Sequence, residues 1–366
     1  KEQKKNFDRL ALAGSCDDPA SIKCEPTIVA SKPEDLKAAL VEKIAQIIAD
    51  RLSFTAPSIT ASVREGGSVY QAQFNYASRG EWEGKLLRKV IDGFGNVLEG
   101  DNKCNEDGVC NWDAGELLAT KGSANRKIWT VFDTSTDTDA KYNSTWNNWG
   151  PDYSDEIETL FLETGNEVKD YHNSSSTCKG IDGVEDGTAD DLIGLINFVR
   201  GQDYFDYNGG CDLTEDRASI LADIYHSQLI EVGAPGANTD FSNNNQEAYW
   251  RSINGYETFR LNNINRKKIL YAGSNAGMLH AFDANSGEEL WAFIPPMIAS
   301  KLPLLMNTGY DGAFDNDAGG SNAIFGVDGS PVAHDVYIYG LKQDLSGYEA
   351  SKSWRTILFV PYGRGG

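Results

Sequence analysis

Apolar residues recur at spacings of three and four through Leu36, Leu40, Ile44, Ile47, Ile48 and Leu52, the period of one buried helix face. Ser31 stands ahead of them as an N-cap, with Pro33 in the first turn and Glu34 three residues on, so the pattern predicts a helix over 31–52. Before it, "NFDRLALAG" predicts a helical end stopped by Gly14, and "EPTIVAS" a short buried strand. Helix, strand, helix is the order expected at the edge of an α/β sheet. Further on the period becomes two. Val69, Gln71, Gln73 and Asn75 alternate with Tyr70, Ala72, Phe74 and Tyr76 among Gly-rich turns, which predicts an antiparallel β region. Residues 133–156 are polar and turn-rich. Helical spacing returns in "DDLIGLINFVRGQ" and "EDRASILADIYHSQLIEVG", the second ending in a strand, and Asn- and Gly-rich residues 233–263 predict a long loop packed by its aromatics. "KKILYAGS", "MLHAFDA", "ELWAFIP", "AIFGVDGSPVAHDVYIYG" and "WRTILFVPYGRGG" are all strand-like.

Within "MLHAFDANSGEELWAF", Asn285, Ser286 and Gly287 supply a turn, with Gly287 in the left-handed position, so the two runs form a hairpin. Strand, tight turn, strand, acidic turn, strand and tryptophan is how a propeller blade is written, and blades become stable only by stacking on neighbours.

At 366 residues the chain exceeds what a single core usually organises. Its 54 acidic residues against 33 basic ones, a formal charge of −21, argue against a nucleic-acid partner and make divalent cations plausible ones. No run approaches the roughly 18 apolar residues of a membrane span. The six cysteines fall as Cys16/Cys24, Cys104/Cys110 and Cys178/Cys211, each pair bracketing a polar stretch. Sequential pairing in an oxidising, extracellular or periplasmic compartment is expected.

Asp101, Asn105, Asp107, Asn111, Asp113 and Glu116 crowd one turn-rich loop, and alternating Asp and Asn around a glycine is how calcium loops gather oxygens. These six are the candidate Ca²⁺ ligands, although no strict EF-hand frame fits them. Asp182, Asp186, Asp190 and Asp191 form a second and weaker acidic cluster, since Asp before "LIGLINF" is also what a helix N-terminus prefers. His280 is expected to pack as a core histidine bonded to backbone, and His334 and Asp335 to point to opposite faces of a strand. "VRGQD" is interrupted by Gln202 and is expected to be a helix end at Gly201 rather than an adhesive tripeptide. Trp146, Trp149 and Tyr153 are either a contact surface or the cover of a small core. No hydrolase, metalloprotease or nucleotide-binding motif occurs, so catalysis is not expected.

Several ordered blocks carry a resemblance. "LINFVRGQ", "RASILADIYHSQLIEVGAP", "KKILYAGSNAGMLHAFDANSGEELWAFIP", "VDGSPVAHDVYI" and "WRTILFVPYGRGG" resemble, in that order, the start of the C-terminal β-propeller of the PilC/PilY type IV pilus tip-associated adhesins. "ASKPEDLKAALVEKIAQIIADRLSFTAPSI", "YQAQFNYASRGEWEGKLLRKVID" and "AGELLATKGSANRKIWTV" are similar to that family's passage from a von Willebrand A domain into a β-rich segment. Two features depart from it: Pro361 and Tyr362 interrupt the glycine-rich strand end, and no D-x-S-x-S metal motif occurs, since "DTSTD" at Asp133–Asp137 only imitates one.

The resemblance implies a middle piece of a longer protein: multidomain and mainly β, with an α/β N-terminal remnant, a β-rich middle segment and the start of a C-terminal β-propeller. Residues 1–57 would close the von Willebrand A domain, 58–178 form the β-rich segment with its disulfide loop, 179–263 the helical connector and long loop, and 264–366 the first blade. It further implies a secreted, Ca²⁺-modulated adhesin and pilus biogenesis factor at the pilus tip, with minor pilins and host-cell or abiotic surfaces as partners. The rival expectation is a quinoprotein-type dehydrogenase, because "AFDANSGEELWAF" is also like a tryptophan-docking repeat.

Overall fold

The computed structural model describes residues 58–59, 67–75, 83–100, 103–132, 147–162, 165–168, 189–240, 245–306, 321–338 and 353–366. The chain divides into two compact units, Lys1–Leu52 and Ser53–Gly366. Every described residue belongs to the second, so the helix expected over 31–52 and the strand before it lie outside them, as do Cys16 and Cys24.

Four antiparallel strands form the first sheet: β1 (Ser58–Ile59), β2 (Ser68–Asn75), β3 (Glu83–Val90) and β4 (Trp112–Asp113) pair in sequence order. The period of two becomes the expected two faces, because Tyr70, Ala72 and Phe74 of β2 and Leu86, Arg88 and Val90 of β3 turn inward. Helix α1 (Ala114–Lys121) starts directly from β4, with Asp113 as N-cap accepting from the Gly115 N–H.

The second sheet has the order β5-β9-β8-β7-β6. Strands β6 (Ile230–Val232), β7 (Ile269–Gly273), β8 (Leu279–Asp283) and β9 (Glu289–Phe293) form a consecutive antiparallel meander, and β5 (Ile128–Trp129) adds to the β9 edge in parallel. The expected hairpin is β8–β9, with Gly287 at φ 79°. Two apolar cores flank this sheet. Leu270, Ala272 and Phe282 pack with Tyr70, Leu86 and Trp112 of the first sheet. Ile128 and Ala292 pack with Trp149, with Ile157 and Phe161 of α2 (Ser154–Leu162), and with Leu195, Ile196 and Phe198 of α3 (Ala189–Arg200). A separate hairpin pairs β10 (Val332–Tyr337) with β11 (Trp354–Phe359).

Two expectations fail here. Residues 215–229 are not helical: Ile220 to Ile224 are all buried in extended chain. The backbone of this stretch bonds to β3 of the first sheet and to the β7–β8 turn of the second, Leu221 O accepting from Gly84 N and Asp223 O from Asn275 N. A helix shows one face to a core and satisfies its own backbone; here five successive residues, Ile220 to Ile224, are buried and the backbone bonds to β3 and to the β7–β8 turn, so tertiary pairing overrides the period. The loop expected over 233–263 contains helices α4 (Gln246–Ile253) and α5 (Tyr256–Asn262). Asn245 caps α4 through its side chain, which accepts from Ala248 N at 3.1 Å, a start signal that the surrounding Asn-rich composition obscured.

Candidate functional site

The candidate calcium loop is a pair of hairpin turns knitted by its own side chains. Asn105 Oδ1 accepts from the Asp107 and Val109 N–H groups at 3.1 and 2.9 Å. Asn111 Oδ1 accepts from Val90 N at 2.8 Å, while its Nδ2 donates to Leu98 O and Gly100 O at 2.8 and 2.7 Å. Asp113 caps α1, Asp107 and Glu116 are exposed, and Asp101 lies outside the described residues. Three of the five described members, Asn105, Asn111 and Asp113, therefore give an oxygen to a backbone N–H. Among the described residues no group of three or more His, Cys, Asp or Glu is placed to hold a metal ion. Cys104 and Cys110, cross-strand neighbours, are joined by a disulfide at the base of this turn. Cys211 is also disulfide-bonded, and Cys178 lies outside the described residues.

The strongest electrostatic constellation is one the sequence did not disclose. Antiparallel pairing of β8 with β9 carries a bulge at Ala281/Phe282, so that Trp291 faces Ala281 but Glu289 faces Phe282. One extra residue on β9 turns Glu289 from the outer face to the core side. There Arg126 donates from Nε and Nη2 to the two Glu289 carboxylate oxygens, both at 2.9 Å, and neither side chain has exposed surface. Arg126 Nη1 also donates to Arg200 O at 2.9 Å, at the end of α3. Burial alone would push the Glu289 carboxyl up, but the Arg126 charge, with hydrogen bonds from His280 and Arg126, outweighs it and holds the group well below the usual carboxylate range.

Against this ionised carboxylate His280 Nδ1 donates at 2.8 Å, and His280 Nε2 lies 2.9 Å from Ser274 Oγ. His280 is the packed histidine expected, although its partners are side chains rather than backbone. Ser, His and acid stand in the order of a hydrolytic triad. Ser274 and His280 are each only 1% exposed, which leaves no route for a substrate carbonyl to the hydroxyl. The chain of bonds therefore ties the residues just before β5 and just after β7 to β8, β9 and the end of α3.

The remaining candidates resolve into structural roles. Arg200 of "VRGQD" is buried, donating to Trp149 O, Ser123 O and Arg126 O, and Gly201 N closes the helix on Asn197 O. Asp335 accepts from Tyr256 Oη and Thr356 Oγ1 at 2.5 and 2.6 Å, whereas His334 faces outward. With burial, that bond to Asp335 pushes the Tyr256 phenol up to about 12. Trp149 is fully buried and Tyr153 exposed, so they share no surface; Trp146 lies outside the described residues, as do Asp182 and Asp186. Asp191 accepts from the Tyr204 hydroxyl inside the core. A pair that no spacing announced is His226 with Asp328, joined across 102 residues by Nδ1 contacts of 2.8 and 2.9 Å.

No protein-family model matches the chain, and no solved structure matches it. Among curated proteins, the "Type IV pilus biogenesis factor PilY1" of Pseudomonas aeruginosa strain UCBPP-PA14 is 28% identical over 343 residues, covering 92% of this chain and 24% of its own length. The homologue of that factor in Xylella fastidiosa strain Temecula1 is 32% identical over 171 residues, 47% of this chain and 12% of its own. The P. aeruginosa strain PAO1 protein is 26% identical over 344 residues, again 92% and 24%. The chain spans about a quarter of the length of the P. aeruginosa relatives.

Proposed function

The chain belongs to the family of the type IV pilus biogenesis factors named PilY1, and from that premise we propose that it forms part of a secreted, tip-associated adhesin that supports pilus assembly. In this reading it acts by contact rather than catalysis, touching minor pilins on one side and a host-cell or abiotic surface on the other. The observation that carries the proposal is a match over 92% of the chain.

The consecutive β6–β9 meander supports the assignment of a first propeller blade, and no observation favours the quinoprotein-type dehydrogenase. Among the described residues no helix is long and apolar enough to cross a membrane. Calcium modulation is implied by the resemblance, and no step of the proposal passes through the ion.

The test is an in-frame deletion of the segment encoding residues 58–366 from the parent gene, complemented by the intact gene. Loss of surface pili, twitching and surface attachment, restored on complementation, is the expected result. Normal piliation and attachment in the deletion strain would overturn the proposal.

A further inference from the structure

At one end of the first sheet two turns project together. Past Val90, β3 continues into a tight hairpin through an Ile91–Val97 bridge, with residues 92–96 at its tip. Trp112 of β4 faces Arg88, and Asn111 binds Val90 N, so the Cys104–Cys110 hairpin leaves the sheet at the same end. The first tip presents Phe94 at 88% exposure, with Val97 beside it at 40%.

Isolated exposed apolar residues are ordinary on protein surfaces, but Phe94 is held in place. Asp92 Oδ1 accepts from Phe94 N and Asn96 N at 2.9 and 2.8 Å, Asp92 Oδ2 from Asn96 Nδ2 at 3.0 Å, and Asp92 O from Gly95 N at 3.0 Å. Gly95, at φ 89°, completes the reversal. The turn is set before any partner arrives, which removes most of the ordering cost of inserting its ring. The sequence of the two turns is acidic, with Asp92, Glu99, Asp101, Glu106 and Asp107 against Lys103 between residues 91 and 111; of these Glu99 pairs with Lys89 at 2.6 Å.

We infer that Phe94 is a docking finger that inserts into an apolar pocket rimmed by Lys and Arg on a partner protein. The negative rim selects a positive one and speeds its approach. The same charge, with −21 over the whole chain, disfavours both an anionic bilayer and a second copy of the chain. The inference rests on the pilus reading for where that partner is found.

The test measures binding of the full-length parent protein to type IV pili purified from the same bacterium, with and without Phe94→Ala, Phe94→Leu and the double reversal Glu106→Lys with Asp107→Lys. Phe94→Ala is expected to weaken binding about tenfold at unchanged melting temperature, as loss of an aromatic anchor does. Phe94→Leu recovers part of that loss, and the charge reversal slows association and flattens its salt dependence. Equal binding by the unsubstituted and Phe94→Ala proteins would overturn the finger while leaving the pilus reading intact. No pilus binding by the unsubstituted protein would remove both. Two further results also overturn it: Phe94-dependent binding to phosphatidylglycerol vesicles, which means a lipid surface, and Phe94-dependent self-association, which means a second copy.

Discussion

The Glu289 side chain has no exposed surface, and Arg126 and His280 hold it charged. Removing one member strands the other, so Glu289→Ala is expected to cost about 3–5 kcal/mol in urea unfolding, whereas Arg126→Met with Glu289→Leu recovers much of it. The sign with pH follows from the depressed carboxyl: its contribution is complete above the unfolded value of about 4.3 and drains away as pH falls below it. Melting temperature between pH 7 and pH 3 therefore drops more steeply for the unsubstituted protein than for the paired variant. Asn111 makes the second residue-scale case. Asn111→Ala strands Val90 N and two carbonyls and is expected to cost about 1–3 kcal/mol with or without Ca²⁺, while Glu116→Ala shifts stability by less than about 0.5 kcal/mol. A calcium-dependent rise in melting temperature that Glu116→Ala abolishes would restore the metal reading. That Asp and Asn were dense here was legible; that Asn105, Asn111 and Asp113 point at backbone N–H groups was not, because composition does not say which way an amide faces.

Among the elements, the β8–β9 hairpin was the most legible, since both its turn and its flanking strands obey local rules. Gly287 carries more than its turn geometry shows. A Cβ there would stand 2.7 Å from Trp112 Cδ2, so the glycine lets the turn sit on the indole of the first sheet. Gly287→Ala is expected to lose about 1–3 kcal/mol by strain and overlap together, with a change in Trp112 fluorescence locating the damage. The bulge that aims Glu289 inward left no trace in the alternation of "EELWAF", because a one-residue slip is decided by pairing, not by the strand itself. The same holds for residues 215–229, whose helical spacing was real and whose environment was not that of a helix.

For the molecule as a whole, the first sheet meets the extended 220–224 stretch through a backbone contact, and that stretch bonds on to Asn275 in the β7–β8 turn. A Cβ on Gly84 would lie 2.0 Å from Ala222 O, and Gly84 N bonds to Leu221 O. Gly84→Ala cannot be relieved by rotating a side chain, so it is expected to lower stability by at least about 3 kcal/mol and to broaden the calorimetric transition as the sheets lose their coupling. No local pattern foretold this, since the partners lie in segments far apart in sequence. The parallel strand Ile128–Trp129 has a different consequence. It occupies the rim of β9, whose sequence "ELWAF" has strong β propensity, and a free rim of that kind templates further chains. Any shortened product beginning after residue 130, whether made by a protease or chosen for expression, would bare that rim and is expected to precipitate as fibrils that bind thioflavin.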